Sequence, residues 1–137
     1  MDDVDKKILA FLREDSRKTY TEIAKTLNVS TGTVRKKVQN LVATGTIKRF
    51  TIDISDGLNK AVVLVSTSPA VPTSKIAENI LLLDGVETAF EVAGQFDISV
   101  LISGEDIATI NHCIEGVRSI EGVQNTNTLI VLKKWSK

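Results

Sequence analysis

The chain has 137 residues, 42% of them hydrophobic, with 17 basic and 17 acidic side chains and a single cysteine, Cys113. That length suits one domain or two small ones with a real core, and the composition excludes a disordered chain. One cysteine excludes an intramolecular disulfide framework, no apolar run reaches the roughly 18 residues of a membrane span, and the acidic start MDDVDKK is unlike a secretory signal, so a cytoplasmic protein with no membrane partner is expected.

The balanced charge conceals an asymmetry. Residues 1–54 carry eleven cations against seven carboxylates, a net of +4, and the remainder carries −4. An N-terminal half that meets a polyanion and a C-terminal half that does not is the natural reading.

Taken in order, Asp2 or Asp3 caps a first helix, Asp5 complements its positive end, and Val4, Ile8, Leu9, Phe11 and Leu12 form its buried side. Thr19 with Glu22 three residues later is a capping box, so a second helix starts there and buries Ile23, Ala24 and Leu27. It stops near Asn28. Ser30 caps a third helix whose apolar stripe is Val34, Val38, Leu41 and Val42, and Gly45 ends it.

Two helices joined by three or four residues, the second beginning with small hydroxyl side chains and continuing with cations, make a helix-turn-helix. The third helix is then the reading element. Thr31, Gly32 and Thr33 lie in its first turn, where free N–H groups suit phosphate oxygens and short side chains allow close approach to base edges. Arg35, Lys36, Lys37 and Asn40 follow; Arg suits guanine, Asn suits adenine, and Lys is more often a phosphate contact. Tyr20 and Ser30 complete the set expected to face double-stranded DNA. The bland alternative, a solvated cationic helix face, loses weight because the capping box, the Leu-Asn-Val-Ser turn and the small-residue start occur together.

After Gly45, IKRFTIDI alternates as a strand from Ile47 to Ile54, a wing or linking strand. Its Lys48 and Arg49 suit the DNA backbone or a solvated strand end equally. The turn-rich Ser55 to Asn59 divides a DNA-binding domain, 1–54, from a second domain, 55–137. There the plan strand, helix, acid, Gly-Val, strand occurs twice: Ala61 to Thr67, a helix with Ile76, Ala77, Ile80 and Leu83 inward, Asp84-Gly85-Val86, and a strand to Ala93; then Ile98 to Ile102, a helix from Glu105 to Ser119 with Ile107, Ile110, Ile114 and Val117 inward, Glu121-Gly122-Val123, and a strand to Leu132. Two such units imply an α+β, ferredoxin-like βαββαβ domain with both helices on one face of a four-stranded antiparallel sheet. AVVLV, Val100 to Ile102 and LIVL are apolar on both faces, and two helices cover only one. The bare face calls for a second copy, and a dimer would present two reading helices to a pseudo-palindromic site.

Gly94 and Asp97 lie between two strands, as a hairpin turn or as a loop whose carboxylate meets a ligand ammonium group. Asn125, Thr126, Asn127 and Thr128 are a polar run on an apolar strand, either exposed or lining the same pocket. His112-Cys113 is a poor metal site, because adjacent helix residues diverge by about 100° and no second histidine exists; no cofactor is expected. Cys113 reads as a small buried filler. Trp135 is expected to pack on a neighbour or a domain junction.

The residues resemble the Lrp/AsnC (leucine-responsive, feast/famine) family of transcription regulators over nearly the whole chain. In the N-terminal half the resemblance rests on Asp2 with Asp5, Ile8-Leu9, Asp15 with Arg17, Glu22-Ile23-Ala24, Leu27, Val29-Ser30, Thr33-Val34, Lys37, Leu41 and Gly45 with Ile47. In the C-terminal half it rests on Gly85-Val86, Gly94-Gln95-Phe96-Asp97, Gly122-Val123 and the strand from Thr126 to Leu132. The resemblance implies a sequence-specific regulator, not an enzyme, built from dimers and often octamers, with an amino-acid effector held between dimers and an ACT-like sensing domain. Gly94, Gln95, Phe96, Asp97 and Asn125 to Thr128 then become the effector set. Lys37 stands where the family usually has Arg, Asn40 and Val42 replace charged residues, and Phe96 stands where Tyr is common, so the operator and the ligand do not carry over. Two rivals remain. One is a ligand-independent protein that wraps DNA. The other is an enzyme on the scaffold of the haem-biosynthesis decarboxylases, disfavoured by a C-terminal half with one His, one Arg and no Tyr.

Overall fold

The computed structural model describes all of residues 1–137, which divide into two compact units, Met1–Ser55 and Asp56–Lys137. The first holds three helices: α1 (Asp3–Glu14), α2 (Tyr20–Leu27) and α3 (Thr31–Ala43). Each starts where a short polar side chain takes up an orphan N–H. Asp2 and Thr19 form reciprocal capping boxes with Asp5 and Glu22, and the Ser30 hydroxyl accepts from the Thr33 N–H at 3.0 Å. Each cap of this kind is worth about 1 kcal/mol. Between α2 and α3 the chain reverses through Asn28 at φ 56°, a left-handed conformation that asparagine tolerates.

Ile8, Leu12, Ile23, Ala24, Val34 and Val38 close the core of this unit, with Val4, Phe11, Tyr20, Leu27, Val29 and Ile47 packed around them. Burying each large aliphatic side chain contributes roughly 1.5–3 kcal/mol. Val42 does not belong to that stripe; it is 46% exposed, because Leu41 already fills the inward position of the last turn.

The strand expected from Ile47 to Ile54 does not form, and with it the wing is missing: residues 48–58 have no regular secondary structure. Phe50, Ile52 and Ile54 are all more than half exposed, and the polar residues between them are exposed too. A strand, however, needs a partner for its N–H and C=O groups, and this unit contains no other strand to supply one.

The second unit runs β1 (Asn59–Thr67), α4 (Thr73–Leu81), β2 (Val86–Glu91), β3 (Ile98–Gly104), α5 (Ile107–Arg118) and β4 (Val123–Ile130). The sheet order is β2-β3-β1-β4 with antiparallel neighbours, the βαββαβ arrangement expected from the repeat. Ala61, Val63, Val65, Ile98, Val100 and Ile102 point to the side on which Ile76, Ile80, Ile110, Ile114 and Val117 of the helices pack. Cys113 lies in that core, where burial pushes its thiol pKa up.

Several boundaries differ from expectation. β2 ends at Glu91 and β4 at Ile130, and α5 starts only after Asp106, which caps it through the Thr109 N–H at 2.7 Å. Ile107, expected inward, is 56% exposed, since the first turn of α5 precedes the packed part of the helix. Trp135 is 81% exposed in the single chain, with the Lys133 ammonium 4.3 Å from its ring centre.

Candidate nucleic-acid interface

Position along α3 decides what its side chains can reach. Val34, Val38 and Leu41 are buried and fix the inward direction. At about 100° per residue, Lys36 projects roughly opposite to Val34, Asn40 lies about 120° from it, Arg35 and Thr33 lie about 100° away to either side, and Lys37 falls only about 60° from the core. Arg35, Lys36 and Asn40 are correspondingly exposed, and Lys37 is half-buried. Gln39 is exposed on the same outer face, between the directions of Arg35 and Lys36. Sequence reasoning passed over it because it carries no charge, yet an amide can pair bidentately with adenine.

At the start of α3 the first helical hydrogen bond runs from the Val34 N–H to the Ser30 carbonyl at 3.2 Å, and the Ser30 hydroxyl takes the Thr33 N–H. The Ser30 and Thr33 hydroxyls also share a hydrogen bond of 2.7 Å. The N–H groups of Thr31 and Gly32 are left outside the helical ladder and free to meet an anion. Tyr20, at the start of α2, lies with its ring centre 6.0 Å from the Arg35 guanidinium carbon, close enough for a weak cation–π contact that steers Arg35. Lys48 and Arg49 lie on the irregular segment after α3 and are exposed.

Lys37 differs from its neighbours. Its ammonium donates to Asp2 Oδ2 at 2.6 Å and to Asp5 Oδ1 at 3.4 Å, tying the middle of α3 to the capping box of α1. The hydrogen bond from Lys37, followed by that from the Asp5 N–H, holds the Asp2 carboxyl down to about 2, while Asp2 raises the Lys37 pKa in return. These groups stay charged across the physiological range.

In the C-terminal unit the expected effector residues divide into separate places. The loop between β2 and β3 carries Gly94 at φ 148°, with open space where a side chain would lie, an exposed Gln95 and a half-buried Phe96. Asp97 is engaged with the chain itself: its Oδ2 accepts from the Thr67 N–H at 2.8 Å, and its N–H donates to the Val65 carbonyl at 2.9 Å. On β4 the alternation of a strand splits the polar run. Thr126 and Thr128 pair with Val65 and Val63 and lie on the helix-covered side, whereas Asn125 and Asn127 pair with Ser66 and Leu64 and lie on the bare side. Thr126 is occupied, accepting from Arg118 Nε at 3.0 Å. The bare side also holds Val62, Leu64, Leu101, Phe90 and Leu129, of which Phe90 and Leu129 are 62% and 51% exposed.

No group of His, Cys, Asp and Glu is arranged to hold a metal ion, and no helix is long and apolar enough to cross a membrane. Comparison with known proteins agrees with the two-part layout. Residues 1–42 match the AsnC-type helix-turn-helix domain, and residues 60–137 match the Lrp/AsnC ligand binding domain. The chain is 43% identical over 136 residues to the HTH-type transcriptional regulator LysM of Sulfurisphaera tokodaii, covering 98% of this chain and 97% of that one. Among solved structures, E. coli AsnC superimposes with a TM-score of 0.80 at 27% identity, over 98% of this chain and 93% of that one. A transcriptional regulator of Neisseria meningitidis, solved as a complex with L-Met, has the same fold, with a TM-score of 0.84 at 24% identity over 100% and 93% of the two chains. A helix-turn-helix followed by a ligand-binding βαββαβ domain, matched over nearly its whole length by transcriptional regulators, gives one conclusion: the chain belongs to the Lrp/AsnC family of DNA-binding transcriptional regulators.

Proposed function

We propose that this regulator works as a two-fold dimer, with α3 of each copy in the major groove and an amino acid as its effector. The observation that carries the reading is the bare face of the sheet. Val62, Leu64, Leu101, Phe90 and Leu129 form an apolar surface that neither helix covers, and a second copy buries it by a symmetric, self-complementary contact. Two copies then present two reading helices to half-sites about one helical turn, or a multiple of it, apart.

On α3 the roles follow from direction. Arg35, Lys36, Gln39 and Asn40 reach base edges and phosphates, Thr31 and Thr33 allow the helix end to approach, and Lys48 and Arg49 meet the backbone. Tyr20 and Ser30 hold Arg35 and the first turn in place. Such a surface binds in a salt-sensitive way, because each neutralised phosphate releases counter-ions.

The ligand-binding domain match and the L-Met complex of a protein of the same fold favour an amino-acid effector. Gly94, Gln95 and Phe96 leave the β2–β3 loop open for it, and Asn125 and Asn127 line the bare side of β4. Asn125 and Asn127 lie on the face that the second copy would meet, which favours a ligand held between copies, as in an octamer. Sedimentation of the full chain with and without a panel of amino acids tests this. A shift between dimer and larger assembly with one amino acid supports the reading; no shift and no change in melting temperature with any of them favours a ligand-independent architectural protein.

A further inference from the structure

α3 carries three consecutive cations, but they do not share a fate. Lys36 projects away from the core into open surroundings, whereas the Lys37 side chain is only 25% exposed and meets two carboxylates, Asp2 Oδ2 at 2.6 Å and Asp5 Oδ1 at 3.4 Å. Asp5 is itself only 15% exposed, and both acids are already fixed by their capping box, with the Asp5 N–H on Asp2 at 2.8 Å and the Asp2 N–H on Asp5 at 3.0 Å. The ammonium therefore docks on a rigid pair of acceptors. A cation already neutralised by two carboxylates does not also neutralise a phosphate, so it displaces no counter-ion from the DNA.

The geometry is that of a strut. Its two ends are about 35 residues apart in sequence, one on the reading helix and one on the first turn of α1; apart from this link and the weak Tyr20–Arg35 ring contact, α3 packs on α1 and α2 through apolar side chains, which resist sliding less than a directed ion pair does. We propose that Lys37 is a positioning residue for DNA recognition: through Asp2 and Asp5 it sets the rotation and depth of α3, so that Arg35, Lys36 and Asn40 meet their bases together, and it makes no phosphate contact of its own. This rests on the reading of α3 as the helix that enters the groove.

The test uses the full chain with a duplex selected by the wild type and an unrelated duplex, at a temperature where every variant is folded by circular dichroism. Lys37→Gln, Lys37→Arg, Asp2→Asn and the double variant Asp2→Asn/Lys37→Gln are compared by their ratio of affinities for the two duplexes and by the slope of log affinity against log salt. Asn caps a helix as well as Asp does, so Asp2→Asn removes the shorter of the two ion pairs, that at 2.6 Å, without removing the cap. Positioning predicts that Lys37→Gln and Asp2→Asn each lower the ratio by roughly five-fold or more, the scale of one lost base contact, with the salt slope unchanged. The double variant is no worse than either, and Lys37→Arg retains the wild-type ratio. A slope shallower by about one with the ratio unchanged would make Lys37 a phosphate contact and overturn the proposal. An unchanged ratio and slope would reduce the pair to a stabiliser of the fold and overturn it as well. If the wild type itself shows no preference between duplexes, the groove assignment of α3 fails first, and this proposal falls with it.

Discussion

The backbone N–H of Ser68 donates to the carbonyl of Gly122 at 2.7 Å, and in the other half of the repeat Ser103 does the same to Gly85 at 2.8 Å. Each Asp/Glu-Gly-Val turn thus locks onto the end of a strand from the opposite repeat, which is why the motif occurs twice. Gly122 is the tighter of the two. It sits at φ 98°, and an added Cβ would fall 2.7 Å from Ile76 Cδ1 and 2.9 Å from Val71 Cβ.

Gly122→Ala is therefore expected to destabilise the protein by about 2–4 kcal/mol, from a strained backbone and an overpacked core together. Gly57→Ala, at φ 70° with open space around it, bears only the left-handed term, about 1–2 kcal/mol. Urea unfolding of the two variants checks the difference.

Thr19→Ala removes the hydroxyl that accepts the Glu22 N–H at 3.1 Å and opens the capping box of α2. A loss of about 1 kcal/mol is expected, with Thr19→Ser close to wild type. Thermal unfolding followed by far-ultraviolet circular dichroism reads both.

Arg35→Ala and Lys36→Ala are expected to weaken DNA binding in different ways. Loss of a base contact at Arg35 costs about 1–3 kcal/mol on the preferred duplex and relaxes the preference at one position. Loss of a phosphate contact at Lys36 weakens all duplexes similarly and makes the salt slope shallower by about one. Fluorescence anisotropy across a salt series separates them.

Leu101→Asp, on the bare face of the sheet opposite Val62, is expected to convert the proposed dimer to a monomer while leaving the helix-covered core intact. Analytical ultracentrifugation gives the assembly state, and an unchanged far-ultraviolet circular dichroism spectrum confirms the fold. A dimer that persists would place the interface elsewhere.

Asp2 and Asp106 give the protein an acid limit of predictable sign. Lys37 and the Asp5 N–H hold Asp2 down to about 2, and the Thr109 hydroxyl and N–H hold Asp106 below its ordinary 3.8. A carboxylate held low in the folded state contributes stability that is complete above its ordinary value and is lost as pH falls through the folded value. Melting temperature should therefore be flat above about pH 5 and fall between about pH 4 and 2. Asp2→Asn should flatten part of that fall.

What the sequence made legible was local or periodic. Thr19 with Glu22 and Ser30 before Thr33 announce their helices because a cap is a contact between residues three apart. The doubled Gly-Val turn and the apolar strands announced the βαββαβ unit because the same plan recurs at a fixed spacing. What lay beyond it depends on distance in space. The Lys37–Asp2 pair spans the whole helix-turn-helix and has no sequence spacing to reveal it. Asn125 to Thr128 read as one polar cluster, but a strand sends alternate residues to opposite faces, and Thr126 ends on Arg118. Ile47 to Ile54 has the alternation of a strand, but pattern alone supplies no partner for its backbone.

The most direct test of the account is selection of duplexes bound by the full-length wild type from random sequence, at low and then moderate salt. Two reading helices on a two-fold dimer should enrich a symmetric site with half-sites about one helical turn or a multiple of it apart. No enrichment at any salt, or a single asymmetric site bound by a monomer, would contradict it.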